Sequence, residues 1–87
     1  MNNKVLVKLD IPVMDQSFDV LIPVNELIWK IASLALKGSC EITNLEITDN
    51  KKIIFVNKIT NEIYPSNKTV YESTIRNGTE LVLLLLN

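Results

Sequence analysis

Two strand-patterned segments, one at each end of the chain, constrain the fold more than any other feature. Lys4-Val5-Leu6-Val7-Lys8-Leu9-Asp10-Ile11 alternates, so a period of two places Val5, Val7, Leu9 and Ile11 on one face and Lys4, Lys8 and Asp10 on the other. That is a half-buried strand. Glu80 to Leu86 is the second segment, and its Leu81–Leu86 stretch is the longest uncharged apolar run in the chain. It is strand-sized, far below the roughly 18 residues of a membrane helix. With 87 residues, 47% of them hydrophobic, the expectation is a single domain over residues 1–87 in which both strands serve one core.

The segments between can be read in order. Pro12 stops the first strand, Met14 to Ser17 carries turn chemistry, and Phe18, Val20 and Ile22 alternate with Asp19 and Leu21 as a returning strand. Pro23 suits the first position of a helix and Gly38 the left-handed residue after its end, which predicts a helix over 23–37. On it Val24, Leu27, Ile28, Ile31, Leu34 and Ala35 share an arc of about 120°, while Trp29 and Leu36 fall on the far side. Ser39 to Asn50 reads either as a short strand or as a packed loop with Ile42, Leu45 and Ile47. Lys52 to Ile59 is a strand by its β-branched and aromatic content, and Thr60-Asn61 turns it into a short Glu62-Ile63-Tyr64 strand before Pro65. Thr69 to Ile75 reads as a tight helical turn pinned by Val70 and Ile75, and Asn77-Gly78 turns the chain into the last strand. The fold class is α+β: a mixed four- to five-stranded sheet covered on one face by a single helix, with the first and last strands parallel at its centre, a β-grasp.

Absences narrow the chemistry. With no histidine, a Ser-His-Asp triad, a Cys-His pair, a His-bearing zinc site and an imidazole switch cannot be built. Gly38 and Gly78, the two glycines, lie too far apart for a P-loop or a dinucleotide turn. Cys40 is the sole cysteine, so no internal disulfide forms, and its place beyond the predicted helix end offers nothing to lower its pKa. The start of the chain shows no signal-peptide pattern, so a cytoplasmic location is expected. Nine basic and ten acidic side chains are scattered, with Lys51-Lys52 the densest basic pair, which is no nucleic-acid footprint. Glu41, Glu46 and Asp49 lack the ligand spacing of a calcium loop and read as a solvated edge. The Asn67-Lys-Thr and Asn77-Gly-Thr sequons read as turns. No catalytic residue, no metal and no cofactor is expected.

Thr69-Val70-Tyr71-Glu72-Ser73-Thr74-Ile75-Arg76-Asn77-Gly78-Thr79-Glu80-Leu81-Val82-Leu83 resembles the "turn, isoleucine, x-x-G-x-x-L" ending of the ubiquitin-like β-grasp family, and Ile53-Ile54-Phe55 matches one of its strands. The likeness spans essentially the whole length. Phe18-Asp19-Val20, Pro23-Val24-x-x-Leu27-Ile28 and the end just after the last strand are similar to the small ubiquitin-like accessory proteins (EsaB/YukD type) of Gram-positive type VII (ESX/WXG100) secretion systems. Ubiquitin-like modifiers and sulfur carriers act through a C-terminal Gly-Gly, whereas this sequence ends Leu85-Leu86-Asn87, which argues against that alternative. A small enzyme is disfavoured by the absent histidine and glycines. The resemblance implies a non-catalytic protein-interaction module, a cytosolic accessory or regulatory component with protein partners among the secretion components or their regulators. Neither nucleic acid nor direct membrane insertion is expected.

The last strand locates the candidate surface. Alternation sends Leu81, Leu83 and Leu85 to the helix side, each worth about 1.5–3 kcal/mol when buried, and Val82, Leu84 and Leu86 to the other side. There a half-solvated strand would carry polar residues. Ile54, Val56 and Leu6 are expected to join them in a partner-binding patch, and the resemblance puts Ile54 and Leu84 at the centre of the family's recognition surface. Homodimerisation is the competing use of that face. Trp29 and Leu36 suggest a second surface, unless the 39–50 segment folds back and buries them, the reading favoured here because long connectors in small domains pack.

Overall fold

The computed structural model describes residues 3–43 and 52–86. β1 (Lys4–Ile11) pairs antiparallel with β2 (Gln16–Pro23) through a Pro12–Met14 3₁₀ turn. Asp15 closes that turn at φ 52°, a left-handed position that a short polar side chain tolerates. β3 (Lys52–Asn57) pairs antiparallel with β4 (Glu80–Leu86), and β4 lies parallel to β1 with Leu9 opposite Leu81. The strand order is β2-β1-β4-β3, so the first and last strands meet at the centre of a four-stranded mixed sheet, as the patterning at the chain ends predicts.

The inner face follows the alternation. Val5, Val7, Leu9 and Ile11 from β1, Ile22 from β2, Phe55 from β3 and Leu81 and Leu83 from β4 are all buried in one cluster with the helix. Leu85 and Ile53 extend it at the periphery, half-buried. The stretch before β4 seals the core: Val70 and Ile75 are buried as expected, and the segment forms turns, with the Ser73 N–H donating to the Val70 carbonyl at 3.0 Å. Thr69 and Glu72 hold it by reciprocal bonds, the Glu72 N–H donating to Thr69 Oγ1 at 3.2 Å and the Thr69 N–H to Glu72 Oε1 at 3.0 Å. The Thr69 N–H, followed by the Thr69 hydroxyl, keeps the Glu72 carboxyl below its ordinary value.

The helix departs from its predicted bounds. α1 runs Ile28–Thr43, not 23–37. Pro23 belongs to β2, opposite Lys4, and Val24 is tied down by its N–H to the Asn3 carbonyl (2.7 Å) and by its own carbonyl to Tyr71 N–H (2.7 Å). The true start is set from outside the segment. The Ile28 N–H donates to the Lys68 carbonyl at 2.9 Å and the Trp29 N–H to the Ser66 carbonyl at 3.1 Å, satisfying two donors that no helical turn can reach. Gly38 continues the helix instead of ending it. The buried stripe also lies roughly 70° round the helix from the predicted one at 100° per residue. Ile28, Ile31, Ala32 and Leu36 are buried, Ala35 is half-buried, and Leu34, expected in the stripe, is 59% exposed.

Two further boundaries shift. β3 stops at Asn57 because its Oδ1 accepts the N–H groups of Ile59 (2.9 Å) and Thr60 (3.0 Å), turning the chain early and leaving Ile59 exposed. Glu62-Ile63-Tyr64 forms a bridge, Val56 opposite Ile63, rather than a strand. The predicted strand-or-loop over 39–50 is helical through Thr43; Leu45 and Ile47 lie outside the described residues.

Candidate interaction surface

The outer face of the sheet, away from α1, is assembled by register. Ile54 lies opposite Leu84 and Val56 opposite Val82 in the β3–β4 pair, with Lys52 opposite Leu86 at the end of the ladder. A directly opposed antiparallel pair brings its Cβ atoms to about 5 Å on one face. Ile54, Val56, Val82 and Leu84 are half-buried and Leu86 is exposed. Five of the six residues expected in the patch therefore share one continuous apolar area.

Leu6 does not join them. The β1–β4 register places Lys8 opposite Glu80 and Asp10 opposite Val82, so β1 meets the patch at Asp10, and Leu6 lies further back towards the start of β1. Its partner is Leu21 across the β1–β2 ladder, and both are exposed. The outer face thus carries two apolar areas with a polar band between them. Sequence reasoning named Leu6 but missed Leu21, although both sit on the outward phase of their strands; only the register shows that they meet.

An ion pair stiffens the band. Lys58 Nζ lies 2.9 Å from Asp10 Oδ2, linking the end of the β3 turn to β1 across the intervening β4. The Ser17 hydroxyl donates to the other Asp10 oxygen. The Ser17 bond first, then the Lys58 bond, hold the Asp10 carboxyl below its ordinary value, and Asp10 in turn raises Lys58. All these groups face solvent, so their role is to fix side-chain positions beside Val82 more than to stabilise the fold.

The proposed second surface separates into its parts. Trp29 is 51% exposed, contrary to the burial favoured from sequence, whereas Leu36 is 6% exposed and belongs to the core. They share no surface: Leu36 packs into the core cluster while Trp29, one heptad earlier, stands half in solvent. Among the described residues no group of three or more His, Cys, Asp or Glu is placed to hold a metal ion, and no helix is long and apolar enough to cross a membrane.

The architecture is shared with solved structures. The EccD5 ubiquitin-like domain from Mycobacterium xenopi matches with a TM-score of 0.79 at 15% identity, over 99% of this chain and 98% of that one. A chain of the MycP5-free ESX-5 inner membrane complex in state II matches with a TM-score of 0.79 at 14% identity, over 98% of this chain. This chain spans 21% of that chain's length. A ubiquitin-like domain from Arabidopsis thaliana matches with a TM-score of 0.66 at 17% identity, over 99% and 81% of the two chains. No protein-family model and no curated protein matches the sequence. At these identities the likeness is one of fold: a mixed four-stranded sheet with one helix, the ubiquitin-like β-grasp.

Proposed function

We propose that this chain is a non-catalytic ubiquitin-like interaction module, a cytosolic accessory or regulatory component of a type VII secretion system of the EsaB/YukD kind. The observation that carries the reading is the apolar area around Ile54 and Leu84 on the face of the sheet that α1 leaves uncovered. Half-buried Ile54, Val56, Val82 and Leu84, opposed in register on that face, attract a protein partner by burial of apolar area rather than by chemistry. Support for the partner class comes from the shared fold with the EccD5 ubiquitin-like domain and with part of an ESX-5 inner membrane complex chain. The partner is accordingly a type VII secretion component or its regulator, met at the Ile54, Val56, Val82, Leu84 and Leu86 surface.

The test is affinity purification of the tagged chain from its native cells under secreting conditions, followed by mass spectrometry. The expected result is recovery of secretion components by the unaltered chain and their loss with Leu84→Asp at an unchanged melting temperature. Leu21→Asp, on the other apolar area, keeps them. Consistent absence of secretion components overturns the reading. Equal recovery with Leu84→Asp removes this surface as the site.

A further inference from the structure

Asn77 and Gly78 are the central pair of a tight turn that closes on itself: the Thr79 N–H donates to the Arg76 carbonyl at 3.0 Å and the Arg76 N–H to Thr79 Oγ1 at 2.8 Å. Gly78 stands at φ +86° in the third position of that turn, where glycine fits without strain. Both residues are also fastened to a single residue of β1. Asn77 Oδ1 accepts the Leu6 N–H and the Leu6 carbonyl accepts the Gly78 N–H, each at 2.8 Å.

The pair is chemically reactive as well as structural. It is the one Asn-Gly step in the sequence, and asparagine is a thermolabile residue. No Cβ shields the nitrogen of a glycine, so that nitrogen, once its proton is lost to solvent base, can reach the preceding side chain. The Gly78 nitrogen then bonds to Asn77 Cγ, the side-chain nitrogen leaves as ammonia, and a five-membered succinimide closes. Water, to which both residues are exposed, opens the ring to aspartate or isoaspartate, and no oxidation or reduction is involved.

The fold opposes each part of this reaction. The Gly78 proton that must leave is held by the Leu6 carbonyl, and the Asn77 amide that must swing over the Gly78 nitrogen is held on the Leu6 N–H. Because both restraints come from one strand residue, they are lifted together when the turn parts from β1. The products then differ. An aspartate still offers an oxygen to the Leu6 N–H, strengthened by its charge. An isoaspartate carries the main chain through its side chain, one carbon longer, so its oxygen and the Gly78 N–H no longer meet Leu6 together. This happens just before β4 begins to pair with β1 at Glu80 and Lys8, at the centre of the sheet.

We infer that Asn77 is a site of spontaneous deamidation, that its bonds with Leu6 hold the reaction off while the turn is closed, and that the isoaspartyl product keeps the turn from closing on β1 again. The inference is independent of the Ile54/Leu84 surface and its partner.

The test incubates the folded chain and the same chain unfolded in urea side by side at mildly alkaline pH. Conversion at Asn77 is followed by peptide mapping that separates aspartyl from isoaspartyl product. The expected result is conversion about tenfold or more slower in the folded chain, rising with sub-denaturing urea in step with hydrogen exchange at the Leu6 and Gly78 amides. The purified isoaspartyl chain loses exchange protection at those two amides, whereas Asn77→Asp keeps it at Leu6. Equal rates in the folded and unfolded chain, faster conversion at another asparagine of the unfolded chain, or an isoaspartyl chain in which both amides stay protected each overturn the proposal.

Discussion

Ile54 and Leu84 face each other directly across the β3–β4 ladder, one register step from Phe55 opposite Leu83. The two pairs are chemically alike, yet Phe55 and Leu83 are buried under α1 whereas Ile54 and Leu84 are half-buried on the uncovered face. A single step along β4 thus exchanges a residue that holds the fold for one that presents a surface.

That exchange is measurable. Leu83→Ala removes a side chain that is 1% exposed and is expected to cost about 2–5 kcal/mol. In a domain of this size the melting temperature then falls by roughly 10 °C or more. Leu84→Ala, with solvent already on one side, is expected to cost about 1 kcal/mol. Paired thermal denaturation curves check the contrast, and equal losses would refute the assignment of faces.

What was legible in the sequence was whatever depends on local period. β1 and β2 came from alternation, β4 from its strand-sized apolar run after the Asn77-Gly78 turn, Val70 and Ile75 from their place before that turn, and the central parallel pair from the pattern at the two ends. The start of α1 was not legible, because the carbonyls of Ser66 and Lys68, far along the chain, cap it in place of a side chain. The face that α1 turns to the sheet was not legible either, and against the predicted stripe Leu34 is exposed and Leu36 buried. The surface was legible as a set of outward residues but not as a map, since Leu6 reaches Leu21 rather than Leu84 through register alone.

Acid should weaken the sheet through Asp10. Its carboxyl lies below the ordinary 3.8 because Ser17, then Lys58, bond to the charged form. The folded chain therefore binds that proton more weakly than the unfolded chain. The resulting stability is complete above about pH 5 and is lost as pH falls below about 4 through the folded value. Urea denaturation between pH 2 and 7 should show a smaller acid loss in Asp10→Asn than in the unaltered chain. An identical slope in both would remove Asp10 as a contributor.

Trp29 is the chain's one tryptophan, so fluorescence reports it alone. At 51% exposed it is expected to emit near the wavelength of a hydrated indole and to be quenched readily by iodide. Because its indole stands outside the core cluster, Trp29→Ala should cost less than about 1 kcal/mol. Blue-shifted emission protected from iodide would contradict its placement.

The two glycines should respond in opposite directions to alanine. Gly38 lies inside α1 with nothing within 4 Å of where a Cβ would stand, so Gly38→Ala relieves the entropic cost of a helical glycine and is expected to stabilise by about 0.5–1 kcal/mol. Gly78 also has open space around it, but its φ of +86° is one that an L side chain rarely adopts. It is held there because its N–H donates to the Leu6 carbonyl at 2.8 Å while Asn77 Oδ1 accepts the Leu6 N–H at 2.8 Å, fastening the turn to β1 just before the parallel pairing begins. Gly78→Ala must either strain the backbone or release that clasp, and a loss of about 1–2 kcal/mol is expected. Denaturation midpoints moving apart for the two variants would bear this out. A destabilised Gly38→Ala would mean that the helix ends at Gly38 after all, as the sequence pattern alone suggests.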